Sequence, residues 1–207
     1  MRVFANGLLT GLILQTAIGP VFFFIINLAL QRSLYDGLVA VAAVTLVDYF
    51  YISLAILGIG KLLEKKKVKK AFGIVSSVVL IIFGLVIIKG VLGDNVSTTS
   101  TIQSASLLAS FSATFFLTIS SPMTIVWYTG IFTAKAVEYN YTKRELLIFG
   151  LSVGLATLLF MGTSVILFSL VKKTVPISLI QTLNIIVGSL LILYGAVRFT
   201  KVLKNSA

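Results

Sequence analysis

The sequence predicts an all-α polytopic membrane protein with six transmembrane helices. Three observations carry that reading. Of the 207 residues, 58% are hydrophobic, and the mean hydropathy is +1.09. Only 11% are charged, against about a quarter in a soluble domain. The charges fall between apolar runs of the length, about 20 residues, that crosses a bilayer as a helix.

The first run is Phe4–Leu30. Arg2 before it suggests a signal peptide. The run is too long for the apolar core of one, however, and polar helix-breaking residues stand where a small-residue cleavage site would fall. It is expected to stay as the first span. The second run, Gly37–Gly60, is interrupted by Asp48 alone. The third, Ala71–Leu92, carries Lys89 near its end, where the side chain can snorkel to the interface. The last three are Ser106–Ala134, Leu146–Val171 and Ile177–Phe199. "KLLEKKKVKK", Lys61 to Lys70, is too charged to enter lipid, and "GDNVSTTSTIQSAS" reads as an exposed loop. The chain is expected to be one domain, 1–207, with halves at about 1–92 and 106–207.

Six spans put the N-terminus, loops two–three and four–five, and the C-terminus on one side. Thirteen Lys and Arg fall there, and four (Arg32, Lys89, Lys172, Lys173) fall on the other. Positive loops stay cytoplasmic, so both termini are predicted inside the cell membrane. The net charge of +11 therefore sits in the loops, and no nucleic-acid partner is expected. Lys61–Lys70 reads as a topology anchor or as a contact for anionic lipid.

The chain has no Cys and no His. That removes disulfides, thiolate sites, the commonest metal ligand and the commonest general base. Neither a cofactor nor a metal site is expected. An enzyme is not expected either: a Ser–His pair is impossible, and an aspartyl dyad needs two buried acids.

Two of the six runs are broken near their middle. "LQTAIGPVFFFIINLAL" and "FLTISSPMTIVWYTGIF" align without gaps, with Pro20 over Pro122. Each lies in the first span of a three-span half. Halves of three spans cross in opposite senses, so matching breaks are the trace of an inverted repeat and point to a transporter's binding site. Proline has no N–H, and its ring pushes away the carbonyl four residues earlier, here that of Thr16 or Thr118. Ser121 is a good cap for a helix starting at Pro122, and Gly19 permits a sharp break. Each broken span then reads as two half-helices, or as a proline kink healed by a neighbouring hydroxyl. In the first case, amides after each Pro (Val21, Phe22, Met123, Thr124) present partial positive charge and freed carbonyls partial negative charge. A zwitterion suits that pair of ends. Such breaks survive only where protein or a water-filled cavity covers them.

Asp48 lies mid-span, at the depth of both prolines. An aspartate there costs roughly 2.5–3.5 kcal/mol on insertion scales. A carboxyl so placed can carry a proton, pair with a cation, or hydrogen-bond a neighbouring span. The candidate binding residues are Gln15, Thr16, Gly19, Pro20, Asp48, Thr118, Ser121, Pro122 and Thr124, with Asp48 as the coupling group. Trp127 and Tyr128 read as gate, wall or packing. "GLLTG" (Gly7, Gly11) and "GLSVG" (Gly150, Gly154) predict close helix contact only.

The order Gly19-Pro20, Gly37, Asp48, then Ser121-Pro122 with aromatics after it resembles the lysine-exporter (LysE/RhtB) family of small amino-acid translocators. The resemblance covers nearly the whole chain. It implies efflux of amino acids or related small zwitterions, driven by the proton or membrane potential. It also implies a membrane-embedded protein with a small-molecule substrate, and a homodimer is an expectation from family habit alone. Many members have Pro-Gly-Pro where this chain has Ile18-Gly19-Pro20, and Asn-Pro where it has Ser121-Pro122. A basic residue often follows, where Met123 stands here. With no cation there and one buried acid, a neutral amino acid is favoured. The alternatives are a metal or ion exporter and a passive channel of similar architecture.

Overall fold

The computed structural model describes residues 1–16, 18–58, 66–92, 106–120, 122–172 and 176–204. Among these residues there are eight helices and no strand. In order they are α1 (Arg2–Gln15), α2 (Pro20–Gln31), α3 (Leu34–Ile56) and α4 (Lys66–Leu92), then α5 (Leu107–Ile119), α6 (Pro122–Glu138), α7 (Lys143–Val171) and α8 (Ile177–Lys204). Helix is the form lipid imposes, because it satisfies every backbone group within the segment.

Helices α3 and α7, and Ser178–Val202 within α8, are each long and apolar enough to cross a membrane. The first and fourth predicted spans are each two helices. Helices α1 and α2 meet at a bend of 82°, and the α5–α6 pair bends by 62°. Each pair is apolar enough to be one broken span or a re-entrant loop. Helix α4 contributes a shorter apolar stretch, Gly73–Lys89. It starts at Lys66, inside the basic segment, while Lys61 and its neighbours at 59–65 lie outside the described residues. So does nearly all of the polar loop before Ser106.

Local chemistry fixes the helix ends. Ser33 accepts the Asp36 N–H at 3.1 Å to start α3, and Ser106 accepts that of Ala109 at 3.3 Å to start α5. At α7, Thr142 and Glu145 form a reciprocal capping box. Past α3, Gly58 takes a left-handed φ of 72° and donates its N–H to the Ala55 carbonyl at 3.1 Å, a conformation open to glycine at little cost.

Small residues set the seams. A Cβ at Gly7 would fall 2.0 Å from Ser152 Oγ, and one at Gly11 would fall 2.6 Å from Ala156 Cβ, so α1 and α7 run parallel in near backbone contact. The α3–α7 seam is antiparallel: Gly154 faces the Tyr49 ring, Gly150 faces Ile52, and Gly37 faces Val165. Gly73 against Val202 and Gly84 against Gly188 make α4–α8 antiparallel as well. Asp36 bonds Ser110 and Tyr51 bonds Ile119, so α3 and α5 run parallel. Without a hydrophobic drive between helices in lipid, such close approach supplies much of the association. Large apolar side chains are left outside, among them Leu9, Ile13, Leu46, Leu85, Leu151, Leu167 and Leu193. That is the surface a lipid-embedded chain presents.

The seam gives a first test. Gly7→Ala puts its methyl against Ser152 Oγ and within 2.7 Å of the Phe149 carbonyl oxygen, which cannot move aside cheaply. Overpacking of this kind costs about 1–3 kcal/mol. Thermal unfolding in detergent should show a lower midpoint for Gly7→Ala, whereas Gly130→Ala, with open space at its Cβ, should fall near wild type by this term. Equal midpoints would contradict the α1–α7 contact.

Candidate functional site

Three apolar clusters divide the bundle. One joins α2, α3 and α7 around Ile25, Val41 and Val165. A second joins α3, α6 and α7 around Val47, Ile125 and Phe149. The third gathers Phe24, Leu80, Leu117 and Leu191. Between them lies a cavity of about 330 Å³, at the small end of the range for ligand sites.

Both helix breaks open on this cavity. Gln15, Gly19 and Pro20 line it from the first break; Thr118, Ser120 and Thr124 line it from the second. Asp48 faces it from the middle of α3, with Val44 one turn away. Leu80 of α4, Met161 of α7 and Tyr194 of α8 line other sides, and Trp127 and Tyr128 stand in the wall. Trp127 is the chain's single tryptophan.

Asp48 is 4% exposed and has no cation paired with it among the described residues. Its carboxylate accepts a hydrogen bond from Thr157 Oγ1 at 2.8 Å and another from the Tyr128 hydroxyl. Thr157 in turn accepts from Gln15 Nε2 at 2.7 Å. One carboxyl thus draws together α1, α3, α6 and α7. It is buried, held by neutral donors, and leaves acceptor capacity toward the cavity.

Six of the nine candidate binding residues, namely Gln15, Gly19, Pro20, Asp48, Thr118 and Thr124, line the cavity. Thr16 does not. Its hydroxyl donates to the Ile13 carbonyl at 2.6 Å and its side chain is exposed. Its carbonyl is not freed by Pro20 either, because the Ile18 N–H bonds to it at 2.8 Å. Nor is the Phe22 amide open: it donates to the Gly19 carbonyl at 3.1 Å. The chain has turned tightly enough to satisfy these groups locally. Pro122 begins α6, and Ser121 lies outside the described residues. At the second break the Ser120 N–H is shared between the Phe116 and Thr118 carbonyls, so the Thr118 carbonyl is not freed by Pro122 either, and the Tyr51 hydroxyl donates to the Ile119 carbonyl at 2.6 Å.

A second buried acid was not visible as such in the sequence. Asp36, placed just before span two, is 7% exposed. It pairs with Arg32 at 3.5 Å and accepts from Ser33 and Ser110, each at 2.6 Å. Arg32 Nη1 donates to Ser110 at 2.6 Å, and Lys172 Nζ donates to the Arg32 carbonyl at 2.7 Å. Gln31 bridges Asn27 and Asn184 beside it. The i, i+4 spacing of Arg32 and Asp36 was the available signal. None of these residues lines the cavity.

The model of the LysE-type translocator family matches residues 12–201. The chain belongs to that family. No curated protein and no solved structure matches it. A LysE-type translocator is a membrane transporter of small molecules, and the cavity is a partly open, mostly apolar space into which Asp48 and a few hydroxyl and amide groups face.

The carboxyl cluster can be tested without a substrate. Thr157→Val keeps the volume but leaves Asp48 and Gln15 each short of a partner. A buried polar group stripped of its partner costs about 1–3 kcal/mol. Thermal unfolding should therefore show Thr157→Val clearly destabilised and Thr157→Ser much closer to wild type. A stable Val variant would mean that Thr157 does not hold the acid.

Proposed function

We propose that this LysE-type translocator is a secondary exporter of amino acids or related small zwitterions, and that they bind in the cavity between the two helix breaks. The observation that carries the reading is the meeting of both breaks and Asp48 on one cavity. A break in a membrane helix costs several kcal/mol per exposed backbone group unless protein or water covers it. Two at one cavity, with a mid-helix acid, favour a site over a packing accident.

Asp48 supplies the coupling in this reading. Its carboxyl can hold a proton or face a substrate ammonium, and the two compete. Binding of one on either side of the membrane displaces the other, which is what exchange of substrate for proton requires. Thr157 and Tyr128 orient the carboxyl, and Gln15 holds Thr157.

The same proposal includes six crossings, both termini in the cytoplasm, and an inverted repeat of halves near 1–92 and 106–207. Helix directions support it: α1 parallel to α7, α3 parallel to α5, and both α3–α7 and α4–α8 antiparallel. Alternate crossings with each bent pair as one span require those senses. Under exchange of the halves, the α1–α7 contact becomes the α5–α3 contact. Rocking of one half against the other would then open the cavity to each side in turn.

Purified protein in vesicles loaded with a panel of labelled amino acids tests the reading. With an imposed pH gradient, wild type should release at least one of them. Asp48→Asn, which cannot give up a proton, should lose the pH-driven component while exchange of substrate for substrate continues. If no amino acid moves with wild type, the substrate class is wrong. If Asp48→Asn retains full pH-driven transport, the coupling role is wrong.

A further inference from the structure

Arg198 lies in the last third of α8, where a sequence reading places it with the cytoplasmic tail as a topology cation. The structure puts it elsewhere. Its Nη1 is buried and has no hydrogen-bond partner among the described residues. No carboxylate there pairs with it, the ion pair of those residues being Arg32–Asp36. Tyr194, one turn earlier on the same face, lines the cavity. Helical side chains lean toward their own N-terminus, so Arg198 leans toward Tyr194. It lies within electrostatic reach of the Tyr194 and Tyr51 hydroxyls. Tyr51 follows Asp48 by three residues, about 4.5 Å along the helix axis.

An arginine near the end of a membrane helix ordinarily snorkels into interface water. Arg198 is half-buried, and its Nη1 is turned inward without a partner among the described residues. Leaving a charged donor unsatisfied costs more than leaving a neutral one. Guanidinium presents a planar fork that matches a carboxylate with two parallel hydrogen bonds. The position beside Tyr51 and Tyr194 also puts the cation on the Tyr51 side of Asp48.

We propose that Arg198 is the carboxylate-binding residue of the transport cavity, so the substrate class is compounds bearing a free carboxylate beside an ammonium. This rests on the transporter reading above. It supplies the cation that is missing after Pro122, where Met123 stands. Substrate carboxylate would meet Arg198 while substrate ammonium faces Asp48. An amino-acid amide or the corresponding decarboxylated amine would lack the first contact and bind weakly.

The test uses the vesicle assay with the amino acid that wild type moves best, plus its carboxamide and its decarboxylated amine as competitors. Wild type should prefer the acid over both by tenfold or more. Arg198→Gln should raise KM for the acid at least tenfold and abolish that preference, and Arg198→Lys should restore part of it. Lys201→Gln, which removes an exposed cation nearby on α8, should leave the preference intact. Trp127 emission and thermal unfolding report whether each variant is folded. A folded Arg198→Gln that keeps the acid-over-amide preference overturns the proposal, as does an equal loss in Lys201→Gln. Should Arg198→Gln fail to fold, Arg198→Lys and the wild-type comparison decide. A wild type that moves an amino acid but treats acid and amide alike overturns the carboxylate site and leaves the exporter reading standing. A wild type that moves no amino acid removes both.

Discussion

The hydrogen bond from Thr157 to Asp48 sits at the centre of this structure, because a carboxyl in the middle of a membrane bundle survives only with internal donors. Thr157 Oγ1 at 2.8 Å and the Tyr128 hydroxyl provide them. Gln15 then fastens the end of α1 to the same hydroxyl at 2.7 Å. The acid, the first helix break and α7 therefore cannot be placed independently. The cavity lies beside that constraint: α2 leaves α1 at a bend of 82°, and residues of α4, α6 and α8 supply further parts of its wall.

The same rule acts differently at the two breaks. At the first, the backbone heals itself, with Ile18 donating to Thr16 and Phe22 to Gly19. At the second, Tyr51 reaches from α3 to cap Ile119. Both breaks satisfy backbone groups locally, the second through the Ser120 N–H, and the second adds a bond from a neighbouring helix. Glycine seams make both feasible by bringing α1 onto α7 and α4 onto α8 closely enough to exclude lipid from the interior. The Arg32–Asp36–Ser110 network ties the far ends of α2, α3 and α5 in the same manner.

Much of this was legible because lipid makes polar residues conspicuous. Asp48, Gly19-Pro20 and Thr118 stand out in apolar runs, and all of them line the cavity. Gly7, Gly11, Gly150 and Gly154 announced close contact at the right spacing. What stayed hidden depends on tertiary placement. Thr157 is one threonine among many in membrane helices, and only the fold puts it over Asp48. Asp36 and Arg32 look like loop charges because burial near a span's end leaves no mark in hydropathy. Arg198 looks like a tail cation for the same reason. Thr16 was misplaced because proline fixes which carbonyl is displaced, not which nearby amide rescues it.

The central claim is that both helix breaks and Asp48 enclose the space the transported molecule occupies. The chain has no cysteine, so a single thiol can report on that space directly. Thr124→Cys places one on the cavity wall and Ile13→Cys places one on the exposed outside of α1. The measurement is the rate of labelling by a small thiol reagent with and without saturating transported amino acid. The account predicts that substrate slows labelling of Thr124→Cys several-fold and leaves Ile13→Cys unchanged. Equal rates at Thr124→Cys with and without substrate would contradict it.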